Sequence, residues 1–193
     1  MNSSNTQTRQ FILSSETIIA IVLIVLGVIL RLVPHPPNVA PITAIALLGG
    51  AKLGKRSGVI LVMSIMLISD LLLGIHGSML YTWGSFLAIT YIGQLVLQNR
   101  SNPLSIFSTA LASSLLFFLV TNFGVWREGT MYAQNLSGLL QSYTMAIPFY
   151  RNTVLGDLIY TPLFFGAYQL LNNYFKQYSL SFSLPFLTLK NHE

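Results

Sequence analysis

TNFGVWRE (residues 121–128) and PFYRNTVLGD (residues 148–157) set charged and amide side chains directly against apolar sequence. Residues 115–120 before the first segment are apolar. So are residues 158–171 after the second, interrupted mainly by Pro162 and Gly166. Asn122, Trp126, Arg127, Arg151, Asn152 and Asp157 therefore stand where two apolar runs end and begin. A charge at the centre of a bilayer costs about 2.5–3.5 kcal/mol or more unless it is paired or hydrated. The stretch from Thr121 to Asp157 is thus the first candidate for a site.

The chain around it has 193 residues, 53% of them hydrophobic and 8% charged. Soluble domains are about a quarter charged, so this composition predicts an all-α integral membrane protein forming one compact bundle. With no cysteine, disulfides, thiol catalysis and thiolate metal sites are excluded. A net charge of +5 suggests nucleic acid in a soluble protein. Here it fits the basic bias of cytoplasmic loops, and no nucleic-acid partner is expected.

Six apolar runs are legible. Residues 1–15 form a polar tail. Residues 17–33 are the first span, about 26 Å long at 1.5 Å per residue against a hydrocarbon core of about 30 Å. One upstream arginine, no small-x-small cleavage site and the prolines at 34, 36 and 37 favour an uncleaved span over a signal peptide. The proline-rich loop 34–38 cannot be helical. A short second helix over residues 39–53 ends among glycines, and Lys52, Lys55 and Arg56 around its end form the strongest basic cluster. Further spans are expected at residues 58–74, 80–97, 103–125 and 152–171, with Pro103 suited to a first helical turn. The transmembrane domain covers residues 16–172, and residues 173–193 form a second tail.

Six spans put both termini on one side. Arg9, Lys52, Lys55, Arg56, Arg100, Lys176 and Lys190 share that side; Arg31, Arg127 and Arg151 take the other. This asymmetry makes the termini cytoplasmic and the protein a multi-pass protein of the inner, cytoplasmic membrane. In the linker 129–148, Leu136, Leu139, Leu140 and Tyr143 recur on one helical face. That predicts a helix lying either on the membrane surface or over a pocket mouth as a lid.

Thr153, Asp157, Tyr160 and Phe164 form one stripe of the sixth span. Asp70 and Asp157 lie at similar depths below the outer ends of their spans. The plain reading pairs each with Arg31, Arg127 or Arg151 to fasten helices; the functional one has them line an outward-facing polar chamber. A third is an aspartyl dyad sharing one proton, as in an intramembrane hydrolase. His35 and His76 project outward as surface groups or as ligands to a metal-bearing substrate, although two histidines alone are a weak metal signal. Polar groups in the fourth and fifth spans, Thr90 and Ser114 among them, read as interhelical glue. Trp83, Trp126 and Tyr81 read as interfacial anchors. No GxxxxGK[ST] loop, Ser-His-Asp set or HExxH helix is present, so no catalytic residue and no resident cofactor is expected.

RLVPHPPNVAP (31–41), ISDLLLG (68–74), TNFGVW (121–126) and YRNTVLGD (150–157) resemble an uncharacterised family of small bacterial membrane proteins described as transporters. That family is similar in turn to the substrate-binding S components of energy-coupling factor (ECF) vitamin transporters. The resemblance implies a six-helix bundle with cytoplasmic termini. It also implies a vitamin-like substrate held near the outer face by the loops after the first, third and fifth helices. An ECF coupling subunit and its ATPases would be the partners, docked through an AxxxA surface on the first helix. Here the first span lacks that surface, and the nearest match is Ala40-xxx-Ala44 on the second. The cobalamin branch is similar in its asparagine-aromatic motif late in the fifth helix, which favours cobalamin with His76 as a cobalt ligand. Some relatives there work without an ECF module.

The resulting expectation is a substrate-binding membrane transport protein in a lipid bilayer, not an enzyme. Asn122, Trp126, Arg127, Arg151, Asn152 and Asp157 would bind or gate. His35, Asn38, Asp70 and His76 would complete the mouth. The alternatives are a scaffolding protein without ligand and the intramembrane aspartyl hydrolase.

Overall fold

The structure, a computed structural model, describes residues 15–100 and 102–182. Most of the two expected tails lies outside the described residues, Arg9 and Lys190 included. The described residues form seven helices and no strand. They are α1 (Ser15–Leu32), α2 (Ile42–Lys52), α3 (Gly54–Leu73), α4 (Met79–Leu97), α5 (Pro103–Arg127), α6 (Leu136–Met145) and α7 (Ile147–Phe182). Four of them are long and apolar enough to cross a membrane: α3, α4, α5 and α7 over Ile147–Tyr174.

Helix α2 is the hub. It is 11 residues long, about 16 Å, and Ile42 to Ala51 are all buried. A helix that is apolar all round belongs inside a protein, and α2 packs against α3, α4, α5 and α7. Glycine makes that approach possible. A Cβ on Gly50 would overlap the Thr90 carbonyl of α4, and one on Gly58 of α3 would stand 2.7 Å from the Gly49 carbonyl carbon and oxygen. Gly50 is thus a site of close backbone contact between α2 and α4.

Helix ends follow local chemistry. The Asn102 side chain accepts a hydrogen bond from Leu104 N at 3.0 Å, with Pro103 at the first helical position, where its missing N–H costs nothing. Asn135 caps α6 by accepting from Gly138 N at 2.9 Å. The last helix starts earlier than hydropathy suggests. Pro148 sits in the first turn of α7, so Phe149, Tyr150 and Arg151 are helical and not part of a connecting loop. At 36 residues, α7 is about 54 Å long and exceeds the hydrocarbon core.

Arg31, Leu73 and Val125, from the C-terminal parts of α1, α3 and α5, meet Thr43, Thr82 and Thr153, from the N-terminal parts of α2, α4 and α7. One end of the bundle is therefore built from those six helix ends. The α2–α3 junction with Lys52, Lys55 and Arg56, and the turn with Arg100, belong to the other end.

Candidate functional site

All seven helices contribute to a cavity of about 500 Å³ at the first of these ends. Ile42 and Thr43 of α2, Phe86 of α4, Phe117 of α5 and Thr153 of α7 are in its lining. Met131, Tyr132, Ser142, Met145 and Ala146, from α6 and the segments flanking it, also line it, as do Pro37 and Asn38 of the loop after α1. Hydroxyls of Thr43, Thr82, Thr121, Ser142 and Thr153 and the amides of Asn38 and Asn122 supply polarity. The Phe86 and Phe117 rings lie 5.0 Å apart between centroids. Arg31 and His35 are the basic groups in the lining, and no carboxylate is among the lining residues.

The cover is tied down from below. Trp126 Nε1 donates to the Ala133 carbonyl at 2.9 Å, and the Gln134 amide donates back to the Trp126 carbonyl. Tyr143 of α6 donates from its hydroxyl to the Leu119 carbonyl at 2.9 Å, and burial pushes that phenol above its ordinary value. Phe118 packs against the rings of Tyr143 and Tyr150, so α5, α6 and α7 share one aromatic cluster. The loop after α1 is held from α7: Asn152 Nδ2 donates to the Pro37 carbonyl at 2.9 Å. Asn38 follows with φ of 64°, a left-handed conformation that asparagine tolerates better than most residues.

The residues singled out from sequence take different places. His35, Asn38 and Asn122 line the cavity. The Asn122 side-chain amide donates to its own helix, at the Phe118 carbonyl, 2.7 Å away. Trp126 and Asn152 stand behind the lining and hold the cover and the loop. Arg127 and Arg151 are exposed and outside the lining. His76 is exposed as well, with Nδ1 3.1 Å from the Ser78 hydroxyl, and it does not reach the cavity. Among the described residues no group of three or more His, Cys, Asp and Glu gathers as a metal site.

Asp70 and Asp157 are both buried and both lie outside the lining. Arg31 Nη2 meets Asp70 Oδ1 at 2.8 Å, and Trp83 Nε1 donates to Oδ2 at 2.7 Å. Arg31 also donates to the Ser69 hydroxyl at 2.6 Å. The Trp83 indole is thus a donor to a buried carboxylate as well as an aromatic body near a helix end. Among the described residues no arginine pairs with Asp157. Its Oδ2 is 2.6 Å from the Ser114 hydroxyl of α5, and the Thr43 hydroxyl lies close by. Its Oδ1 is buried without a hydrogen-bond partner. The two carboxyls therefore share no hydrogen bond, and the geometry of a proton-sharing dyad is not formed.

Several lining residues were not singled out from sequence: Thr43, Thr82, Thr121, Ser142, Phe86, Phe117 and Phe149. Thr121 and Thr82 donate to carbonyls of their own chain four residues back, at 2.7 and 3.2 Å. Back-bonding of this kind is what an uninvolved threonine also does. The available signal was position: Thr121 adjoins the amide Asn122.

The model of a family of unknown function, DUF6580, matches residues 11–181. No curated protein and no solved structure matches the chain.

Proposed function

This chain belongs to DUF6580, a family of unknown function, and we propose that it binds a small organic solute in the cavity and carries it across the bacterial cytoplasmic membrane. In this reading α1 and α2 join the four longer helices as a six-span bundle with cytoplasmic termini and α6 as the lid. Basic residues support the orientation. Lys52, Lys55, Arg56 and Arg100 gather at the end away from the cavity, where a cytoplasmic surface is expected to carry them, so the cavity opens outward.

The observation that carries the reading is the cavity itself, of about 500 Å³ and walled by all seven helices. Ligand sites span roughly 300–1,000 Å³ and combine apolar and aromatic walls with a few placed polar groups. Here the walls offer rings, methionines, the hydroxyls of four threonines, one serine and one tyrosine, two amides and one arginine edge. Such a lining suits an uncharged or weakly anionic ring compound of vitamin size. His76, the cobalt ligand that a cobalamin reading would use, stands outside the lining, so the solute proposed is not tied to cobalamin.

The Arg31–Asp70 pair alone would suit a scaffold whose charges only lock helices. A scaffold has no need of an open chamber beside that lock. Untargeted mass spectrometry of compounds released from purified protein tests the proposal. Wild type should retain a compound that Ala146→Phe, which fills the cavity, loses while eluting as the same folded species. Equal recovery from both, or none from either, removes the solute reading.

A further inference from the structure

Asp157 is 1% exposed on a helix of membrane-crossing length. Among the described residues it makes no ion pair. The groups facing it are all neutral: Ser114 on α5 and Thr43 on α2, with Thr153 and Thr161 one turn away on its own helix. Of the nearby cations, Arg31 is engaged with Asp70 and Arg151 is exposed. An ionised carboxylate with only neutral hydroxyls facing it and no counter-charge is heavily penalised at such a position.

Donor accounting sharpens the point. A serine hydroxyl has one proton to give. Ser114 Oγ lies 3.0 Å from the Ala110 carbonyl and 2.6 Å from Asp157 Oδ2, both acceptors when the carboxyl is ionised. If Ser114 serves its own helix, the short contact to Asp157 needs a positive species on the carboxyl side. Three further buried oxygens wait without partners: Asp157 Oδ1, Ser113 Oγ on α5 and Thr161 Oγ1 on α7. Buried polar atoms left over in this way point to a missing water or ion. A water satisfies hydrogen bonds but brings no charge.

We propose that Asp157 is an exchangeable cation site, taking a proton or a sodium ion between α2, α5 and α7. All its donors are oxygens, as hard cations prefer. Thr43 and Thr153 line the cavity and adjoin Asp157, so a cation enters from the solute chamber. Resting on the transport reading, this occupant is the coupling ion: its gradient drives uptake in a chain that has no nucleotide-binding loop. Placing a coupling-ion site beside an irregular helix near the substrate is a known solution in secondary transporters.

The test needs no solute, so its outcome is independent of whether the cavity reading survives. Infrared spectra of the purified full-length protein are taken at neutral pH in potassium buffer, with and without sodium, beside thermal unfolding in the same buffers. A protonated-carboxyl C=O band that Asp157→Asn removes establishes the proton. A sodium-specific rise in Tm of roughly 3 °C or more that Asp157→Asn abolishes establishes sodium. Should Asp157→Asn fail to fold, Ser114→Ala must shift the band or weaken the sodium effect in an otherwise folded protein. A band or sodium effect that persists unchanged in the variants overturns the site. So does an ionised carboxyl indifferent to sodium.

Discussion

Asp70 and Asp157 invite comparison because their burial is nearly the same and their surroundings are opposite. Each is almost fully buried in a helix long and apolar enough to cross a membrane, close to the same cavity. Around Asp70 every acceptor is matched: Arg31 takes one oxygen, Trp83 the other, and Ser69 occupies the guanidinium's second arm. Around Asp157 one oxygen meets a hydroxyl and the other meets nothing. A closed electrostatic circuit fixes α1, α3 and α4 to one another. An open one between α2, α5 and α7 leaves a valence for something that comes and goes. Burial alone therefore does not tell a structural carboxylate from a functional one; the partner list does.

The largest expected effect comes from breaking the closed circuit. Asp70→Ala strands the Arg31 guanidinium, whose side chain is only 15% exposed. Removing one partner of a buried pair costs about 3–5 kcal/mol. Thermal unfolding in detergent should show a large loss of Tm, with much of the protein aggregating. Asp157→Asn should cost far less, since the new side-chain amide keeps an acceptor for Ser114 and needs no counter-charge. If the two substitutions destabilise equally, the contrast between the carboxylates collapses.

Next in size is Trp83→Phe, which keeps an aromatic ring and deletes the N–H aimed at Asp70. A hydrogen bond to a charged group contributes about 1.5–3 kcal/mol, and the lost Tm should reflect that range. Were Trp83 only an interfacial anchor, phenylalanine would cost much less. The matching substitution on the other carboxyl, Ser114→Ala, sharpens the comparison. A neutral hydrogen bond contributes about 0.5–1.5 kcal/mol, so with Asp157 neutralised by its cation the loss should stay in that lower range. A cost as large as that of Trp83→Phe would mean Asp157 is ionised and bare.

The same distinction explains what was legible in the sequence. Apolar runs 58–74, 80–97 and 103–125 correspond closely to α3, α4 and α5, because length and hydropathy decide a membrane-length helix. The amphipathic linker pattern of Leu136, Leu139, Leu140 and Tyr143 corresponds to α6. Arg31 stood among the arginines available to Asp70, since few charges compete at that depth. The partner of Asp157 was not legible as such: Ser114 is one of many hydroxyls in apolar sequence, and each has its own helix as a default acceptor. The start of α7 was missed because Phe149, Tyr150 and Arg151 look like the end of a loop, whereas a helix that outruns the bilayer can carry polar residues in its first turns. The cavity lining was missed for a related reason. Concavity is made by elements distant in sequence, and threonines and phenylalanines look alike whether they face a void or a neighbour.

The smallest expected effect concerns the loop between α1 and α2, which borders the cavity and is joined to α7 by one hydrogen bond from Asn152 to the Pro37 carbonyl. Loop residues 34–38 are exposed, so water replaces much of what Asn152→Ala removes, and the change in stability should be at most about 1 kcal/mol. Its consequence is local. Hydrogen exchange at residues 35, 38 and 39, the N–H groups that flank the prolines, should accelerate severalfold while α3 and α4 stay protected. Such selective loosening would mark this loop as the movable border of the cavity, in contrast to the fixed Arg31–Asp70 corner beside it. Uniform acceleration across α1 and α3 would instead make Asn152 part of the same rigid frame as Asp70, and the loop could not then act as a gate.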